Sequence, residues 1–196
     1  PHIAVNCKVM KLNHRFISSL VQISAQLQAA GICPRFHFFP AERGVGFDGL
    51  RTFVQSSNIV SDLHRYVDYE TFLAELSGCH ASVVPFPFGN TNSTMDCLLL
   101  GRPVYFVDSS EPCSLGDYKI LSQMGLTSFS MAKNIDDLIS TIVNSFINGD
   151  CYKKYRSAID TLKIGSLLET NGRKNEVEMN GFSNAFWDMY KRKRGL

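Results

Sequence analysis

Segments of strand character alternate with segments of helical character along most of this chain, and that alternation restricts the fold more than any other feature. Ile3 to Cys7, Arg35 to Phe39, Asn58 to Leu63, the run ending at Val84, Val104 to Val107 and Thr127 to Met131 are short and rich in β-branched, aromatic or small apolar residues. Between them the apolar period changes. Phe16, Leu20, Ile23 and Leu27 recur at helical spacing between Asn13, a good N-cap, and Gly31, a good stop. Asn134 opens a similar run carrying Ile135, Leu138, Ile139, Ile142 and Val143. Further helices are expected around Leu50 to Gln55, after a flexible Glu42–Gly46 loop, and from about Asp68 to Leu76. Others are expected after Ser93, up to Met124 before Gly125, and from about Cys151 to Leu162. Strict alternation of this kind implies an α/β doubly wound, parallel, six-stranded Rossmann-like sheet with right-handed crossovers. Residues 1–165 are read as that domain. Residues 166–196 are read as a tail and an amphipathic helix, Phe182 to Tyr190, packing back on the domain or on a missing lobe.

In the commonest strand order of this class the chain reverses direction between strands one and four, and ligands bind outside the carboxyl ends of the strands there. The two loops concerned are Lys8–Lys11 and Gly89–Asp96. The second follows a strand ended by Pro85 and Pro87, which cannot donate to a ladder. Gly89 permits backbone shapes closed to other residues, and Asn90, Thr91, Asn92 and Ser93 are helix-capping types. A helix N-terminus there presents unpaired N–H groups and a positive dipole end, suited to a phosphate. The topology brings a cationic loop to meet it. The bland reading is a capping box of Ser93 with Asp96 that only starts a helix.

Composition excludes several classes. A chain of 196 residues, 44% hydrophobic and 19% charged, can bury a full core as one domain, and a formal net charge of +2 is too small to imply nucleic-acid binding. The Lys191–Arg194 run reads as a solvated tail. No run approaches the roughly 20 apolar residues of a membrane span. The chain starts in strand one at Pro1, without an initiator Met or signal peptide, which suggests a piece cut from something longer. Six dispersed cysteines, with no Cys-x-x-Cys, fit reduced thiols in the cytoplasm rather than disulfides or zinc. Neither a Gly-x-Gly-x-x-Gly, a Walker loop nor a Gly-x-Ser-x-Gly elbow occurs, disfavouring dinucleotide binding, P-loop NTPases and α/β-hydrolases.

Pro85-Phe86-Pro87-Phe88-Gly89-Asn90-Thr91-Asn92, with Asp96 four residues on, resembles the cytoplasmic bacterial N-glycosyltransferases that modify high-molecular-weight adhesins. These are relatives of the O-GlcNAc transferases in glycosyltransferase family 41. Met10-Lys11-Leu12-Asn13, Phe36-His37-Phe38, Gly125-Leu126 and Ala132-Lys133-Asn134 match the same family in order. The resemblance implies the C-terminal, nucleotide-sugar-binding lobe of a two-lobed GT-B enzyme, its N-terminal acceptor-binding lobe being absent. It also implies a metal-independent, inverting transfer of hexose from UDP-glucose or UDP-galactose to protein asparagine side chains, with no cofactor.

On that resemblance Lys11 and Asp96 are the residues closest to the chemistry. Lys11 would contact the donor diphosphate, Asn92 would lie at the nucleotide-sugar site and Asp96 would hold ribose hydroxyls. Gly89, Asn90 and Thr91 would complete the loop, and Ser110, with Ser109, would offer backbone N–H groups or simply cap a helix. The chain departs from the family in three places. Lys8 replaces a small hydroxyl residue and adds a second cation beside the diphosphate. In His64-Arg65-Tyr66 one family histidine is kept and Tyr66 replaces the other, which bears on uracil or phosphate contacts. Ser93-Thr94 bring hydroxyls to the loop. His37 is expected to be a hydrogen-bonded core residue, His14 to lie on an exposed helical face, and Phe86 and Phe88 to serve packing or uracil stacking. Two other readings remain: a lobe adding N-acetylglucosamine to Ser or Thr, and a catalytically inactive GT-B-like module that binds a partner protein.

Overall fold

The computed structural model describes residues 1–109 and 111–162. Its contacts divide the chain into Pro1–Asp160 and Thr161–Leu196, and the first of these is the unit described below. The expectations for 166–196, and that for Ser110, lie outside the described residues.

The strands are β1 (His2–Asn6), β2 (Arg35–Phe39), β3 (Ser61–Leu63), β4 (Ala81–Val83), β5 (Val104–Val107) and β6 (Met131–Ala132). They form one six-stranded sheet in the order β3-β2-β1-β4-β5-β6, with every pairing parallel. The doubly wound expectation is therefore met, and the reversal falls between β1 and β4. Helices cover both faces, so Ile3, Ala4, Phe36, Phe38, Ala81 and Val104 have no exposed surface. That explains why the strands read as continuous apolar runs rather than as alternating ones.

The helices are α1 (His14–Ala29), α2 (Val45–Gln55), α3 (Tyr69–Ser77), α4 (Thr91–Leu99), α5 (Leu115–Gln123), α6 (Thr127–Ser130), α7 (Ile135–Ile147) and α8 (Gly149–Thr161). Asn13 caps α1 by accepting from the Phe16 amide at 3.0 Å, and Asn134 caps α7 by accepting from the Asp137 amide at 2.9 Å. Phe16, Leu20, Ile23 and Leu27 are wholly buried where α1 meets α7, each worth roughly 1.5–3 kcal/mol relative to exposure. Tyr155 of α8 donates its hydroxyl to the Val104 carbonyl at 2.9 Å, anchoring that helix on β5. Among the described residues no helix is long and apolar enough to cross a membrane.

Three local expectations need correction. Thr127–Ser130 is a helical turn, and only Met131–Ala132 joins the sheet. Thr127 and Ser130 suited a strand by composition, but the Ser130 hydroxyl bonds back to the Leu126 carbonyl at 2.9 Å, a local bond that competes with pairing. Helix α2 begins at Val45, inside the supposed loop, because Gly44 takes a left-handed φ of 64° and turns the chain into it. Finally, α4 starts at Thr91, directly after Asn90, so Ser93 lies inside the first turn and forms no capping box with Asp96.

Candidate functional site

The carboxyl ends of β1 and β4 open onto the two loops that the topology singles out. After β1 a 3-10 turn, Val9–Lys11, carries Lys11 back across the sheet top, and Lys8 stands exposed at its start. Lys11 Nζ donates to the Gly89 carbonyl at 2.8 Å and lies 3.5 Å from Asn90 Oδ1. The structure thus joins the cationic loop to the loop before α4. Asn13 strengthens the junction by donating its amide to the Phe86 carbonyl at 2.6 Å.

Gly89 is required at this point. Its φ is 65°, and a Cβ there would lie 2.5 Å from both Asp117 Oδ2 and the Cys113 carbonyl. Asn90 uses its side-chain amide to donate to the Asn6 carbonyl, so it does not cap α4. Asp117 of α5 reaches the same loop without capping the helix. Its Oδ2 takes the Asn90 N–H at 2.6 Å and its Oδ1 takes the Thr94 hydroxyl at 2.5 Å. The amides of Thr91, Asn92 and Ser93 have no acceptor among the described residues, as expected of a helix's first turn. Asn92 is exposed, while the Thr91 side chain fits against Gly116 of α5.

Asp96 lies in the second turn of α4 at 6% exposure, and Tyr69 Oη donates to its Oδ1. Burial pushes the Asp96 carboxyl above the ordinary carboxylate range, with the Tyr69 hydroxyl opposing the shift. Asp117, at 0% exposure, is raised for the same reason, opposed by the Thr94 hydroxyl, the Asn90 amide and the charge of Lys11. Cys7, Cys79 and Cys97 are buried and unbridged, and burial raises each thiol to about 12, so they act as small apolar residues.

His64 and Tyr66 follow β3, which β2 separates from β1 in the sheet. Both ring nitrogens of His64 are in use: Nε2 meets His37 Nδ1 at 2.9 Å and Nδ1 meets Glu75 Oε2 at 2.9 Å. His37 Nε2 meets His2 Nδ1 at 2.8 Å, so three imidazoles run in a hydrogen-bonded row across β1, β2 and the end of β3. Burial first, and then the neighbouring His64, lower His37 to about 4. Tyr66 is half exposed, with the Arg43 guanidinium 4.3 Å above its ring. Ser109 shares a 2.8 Å hydrogen bond with Ser114, and His14 is exposed as expected. Phe86 is buried edge-on to Phe16, whereas Phe88 is 38% exposed on the wall of a groove of about 990 Å³. Asn13, Arg15, Ser109 and Asn134 also line that groove.

No family model matches the chain. Over 144 residues it is 27% identical to the UDP-glucose:protein N-beta-glucosyltransferases of Actinobacillus pleuropneumoniae serotypes 5b and 7. The match covers 72% of this chain and 23% of each relative, so the chain spans about a quarter of their length. In fold it is similar to the Thermobaculum terrenum O-GlcNAc transferase, with a TM-score of 0.69 at 13% identity, over 96% of this chain and 35% of that one.

In sequence and fold the chain is similar to a lobe of these glycosyltransferases.

A second likeness of fold, to the catalytic domain of the Helicobacter pylori cholesterol-alpha-glucosyltransferase, has a TM-score of 0.54 at 16% identity. It covers 82% of this chain and 97% of that domain. The lobe has the architecture of the C-terminal half of a GT-B glycosyltransferase. Sequence reasoning about the lobe missed Asp117 and Tyr69, each of which touches a residue it had named, and the Thr94 hydroxyl that it assigned to the loop donates to Asp117. Asp117 was visible only as one acid near the start of a helix, and its distance from Asn90 in the chain hid the connection.

Proposed function

We propose that this lobe binds the donor of an inverting, metal-independent glycosyltransferase that moves a hexose from a UDP-sugar to asparagine side chains of a protein. The observation that carries the reading is the meeting of Lys11 with the loop before α4. One ammonium and three unaccepted amides, those of Thr91, Asn92 and Ser93, gather at the reversal of the sheet. A pyrophosphate is the ligand such donors suit, through charge-assisted hydrogen bonds and the helix dipole. The sequence similarity to protein N-glucosyltransferases supports UDP-glucose as the donor and asparagine as the acceptor.

In this reading Lys11 keeps the Gly89 carbonyl and turns a second N–H to a phosphate oxygen, with Lys8 as a more distant cation. Asp96 accepts ribose hydroxyls, keeping Tyr69 on one oxygen. The acceptor amide nitrogen attacks the anomeric carbon from the face opposite UDP, and the bond from that carbon to the β-phosphate oxygen breaks. Its electron pair leaves on UDP, where Lys11 and the α4 N-terminus stabilise the charge, while the amide proton passes to a base supplied by the acceptor-binding lobe. Stabilising the leaving group in this way needs no metal.

Calorimetry of UDP with the intact chain tests the donor site. Wild type is expected to release heat, and Lys11→Ala and Asp96→Ala to bind at least about tenfold more weakly. Absence of heat with wild type, or equal affinity in all three, removes the assignment. The transfer itself is tested by mass spectrometry of an asparagine-sequon peptide incubated with the complete enzyme and UDP-glucose. A gain of one hexose supports it. A gain only on Ser or Thr with UDP-N-acetylglucosamine turns the acceptor to a hydroxyl, and no gain with any donor favours a non-catalytic module.

A further inference from the structure

The peptide between Gly89 and Asn90 is held at both ends by opposite charges. Its carbonyl accepts from Lys11 Nζ at 2.8 Å, and its N–H donates to Asp117 Oδ2 at 2.6 Å. Turned over, the same peptide would aim its N–H at an ammonium and its carbonyl at a carboxylate, so the two charges together select one orientation. Asp117 Oδ1 reaches past this peptide to the Thr94 hydroxyl, inside the first turn of α4. One carboxylate therefore ties the residue before the helix to the helix itself. The surroundings leave no slack, since Gly89 has no room for a Cβ and Thr91 lies against Gly116.

Stability alone does not account for this arrangement. Asp117 is wholly buried and forms no ion pair among the described residues, so its charge is held in place by neutral donors. Burying a carboxylate in that way costs free energy that a neutral acceptor would not. What the carboxylate adds is position: it takes the Asn90 amide and leaves the next three amides without an acceptor among the described residues, beside the peptide that Lys11 holds.

We infer that Asp117 is a positioning residue for the donor diphosphate, holding the Gly89–Asn90 peptide and the first turn of α4 in register with Lys11. The inference rests on the donor reading above. Asp117 lies behind the loop and acts through Asn90, Thr94 and Lys11.

The test compares UDP affinity by calorimetry, and folding by thermal melts, for the intact chain and its variants. Asp117→Ala removes both acceptors and is expected to weaken UDP binding about tenfold. In Asp117→Asn the side-chain carbonyl can take the Asn90 N–H while its amide donates to Thr94. Affinity is then expected to return to within about threefold of wild type. Because Asp117 works on the peptide that Lys11 grips, Asp117→Ala is expected to cost much less in a Lys11→Ala background, a coupling that a general loss of stability would not produce. A folded Asp117→Ala that binds as wild type overturns the inference, as does Asp117→Asn binding as weakly as Asp117→Ala, or full additivity with Lys11→Ala. Should Asp117→Ala not fold, Thr94→Val removes one of the two bonds, with a loss of about threefold expected and wild-type affinity overturning the role. Failure of wild type itself to bind UDP is a separate result and removes the donor reading together with this role.

Discussion

The amino end of α4 and the histidine row across β1 to β3 sit on the same sheet and solve the same problem in opposite ways. At α4 an ammonium and a carboxyl, those of Lys11 and Asp117, hold the two ends of a single peptide, and the next three amides keep no acceptor among the described residues. Along the histidine row the polar atoms close on one another. With neutral rings and an ionised Glu75, His64 donates to Glu75, His37 to His64 and His2 to His37, and both nitrogens of His37 and His64 are consumed. The difference teaches which polar cluster can take a ligand. Charge held in reserve, with a backbone amide turn beside it, can be redirected to a phosphate, whereas a completed hydrogen-bond row must be broken first. Burial disfavours charge in both places, which gives them opposite responses to pH. The raised carboxyls favour acid and the lowered His37 favours base.

Breaking the α4 cluster at its tightest point should have the largest effect. Gly89→Ala forces an L side chain to a φ of 65° and sets its Cβ 2.5 Å from Asp117 Oδ2 and from the Cys113 carbonyl. Urea unfolding is expected to show a loss of about 3 kcal/mol, and UDP binding should disappear with the loop geometry. A loss below about 1 kcal/mol would mean that the loop adapts and the clamp is soft.

The pH contrast comes next. His37 falls from 6.5 to about 4 on folding, so the unfolded chain binds the extra proton between those values. The stability due to His37 is complete above pH 6.5 and is lost as pH drops through about 4. His37→Asn should remove that slope, on the order of 1 kcal/mol after discounting for solvent around the row, in unfolding curves at pH 7 and below 5. An unchanged slope would assign the acid sensitivity to other groups.

Asp117→Asn should change the opposite limb. A carboxyl raised on folding contributes stability below its unfolded value of 3.8, and that stability declines as pH rises through the raised one. The variant is expected to lose this decline and to be no less stable than wild type at neutral pH, measured by melting temperature from pH 3 to 8. A large drop at neutral pH would show that the charge itself stabilises the fold.

The smallest effect is expected from Asp62→Asn. It removes a 2.9 Å contact with Arg35 in which both side chains are more than 40% exposed, worth below about 1 kcal/mol. Because Asp62 raises His37 against the effect of burial, the variant should also push the His37 titration lower, a shift readable by NMR.

Much of this was legible in the chain. The run from Arg35 to Phe39, ended by Pro40, and the run from Val104 to Val107 read as strands and are strands, because two-sided burial demands apolar content at every position. Asn13 and Asn134 read as caps, and are caps, for a reason confined to a few neighbouring residues. Ser93 is no cap because α4 already starts at Thr91, which places Ser93 inside the first turn. Thr127–Ser130 failed as a strand because four residues carry too little periodicity to separate a strand from a turn of helix. The rings of His37 and His64, 27 residues apart, meet only once β2 and β3 pair.

Order of elements, reversal of the sheet, and the meeting of Lys11 with the loop before α4 all follow from local periodicity, turn chemistry and the handedness of crossovers, and the amino-acid sequence contains these directly. Which acid holds the residue before that helix was decided by the packing of α5 against α4, which brings Asp117 within 2.6 Å of an amide 27 positions earlier. Tyr69 met Asp96, and the histidines met one another, in the same manner. Such choices depend on distances between side chains on separate elements, a quantity that exists only after the layers have closed.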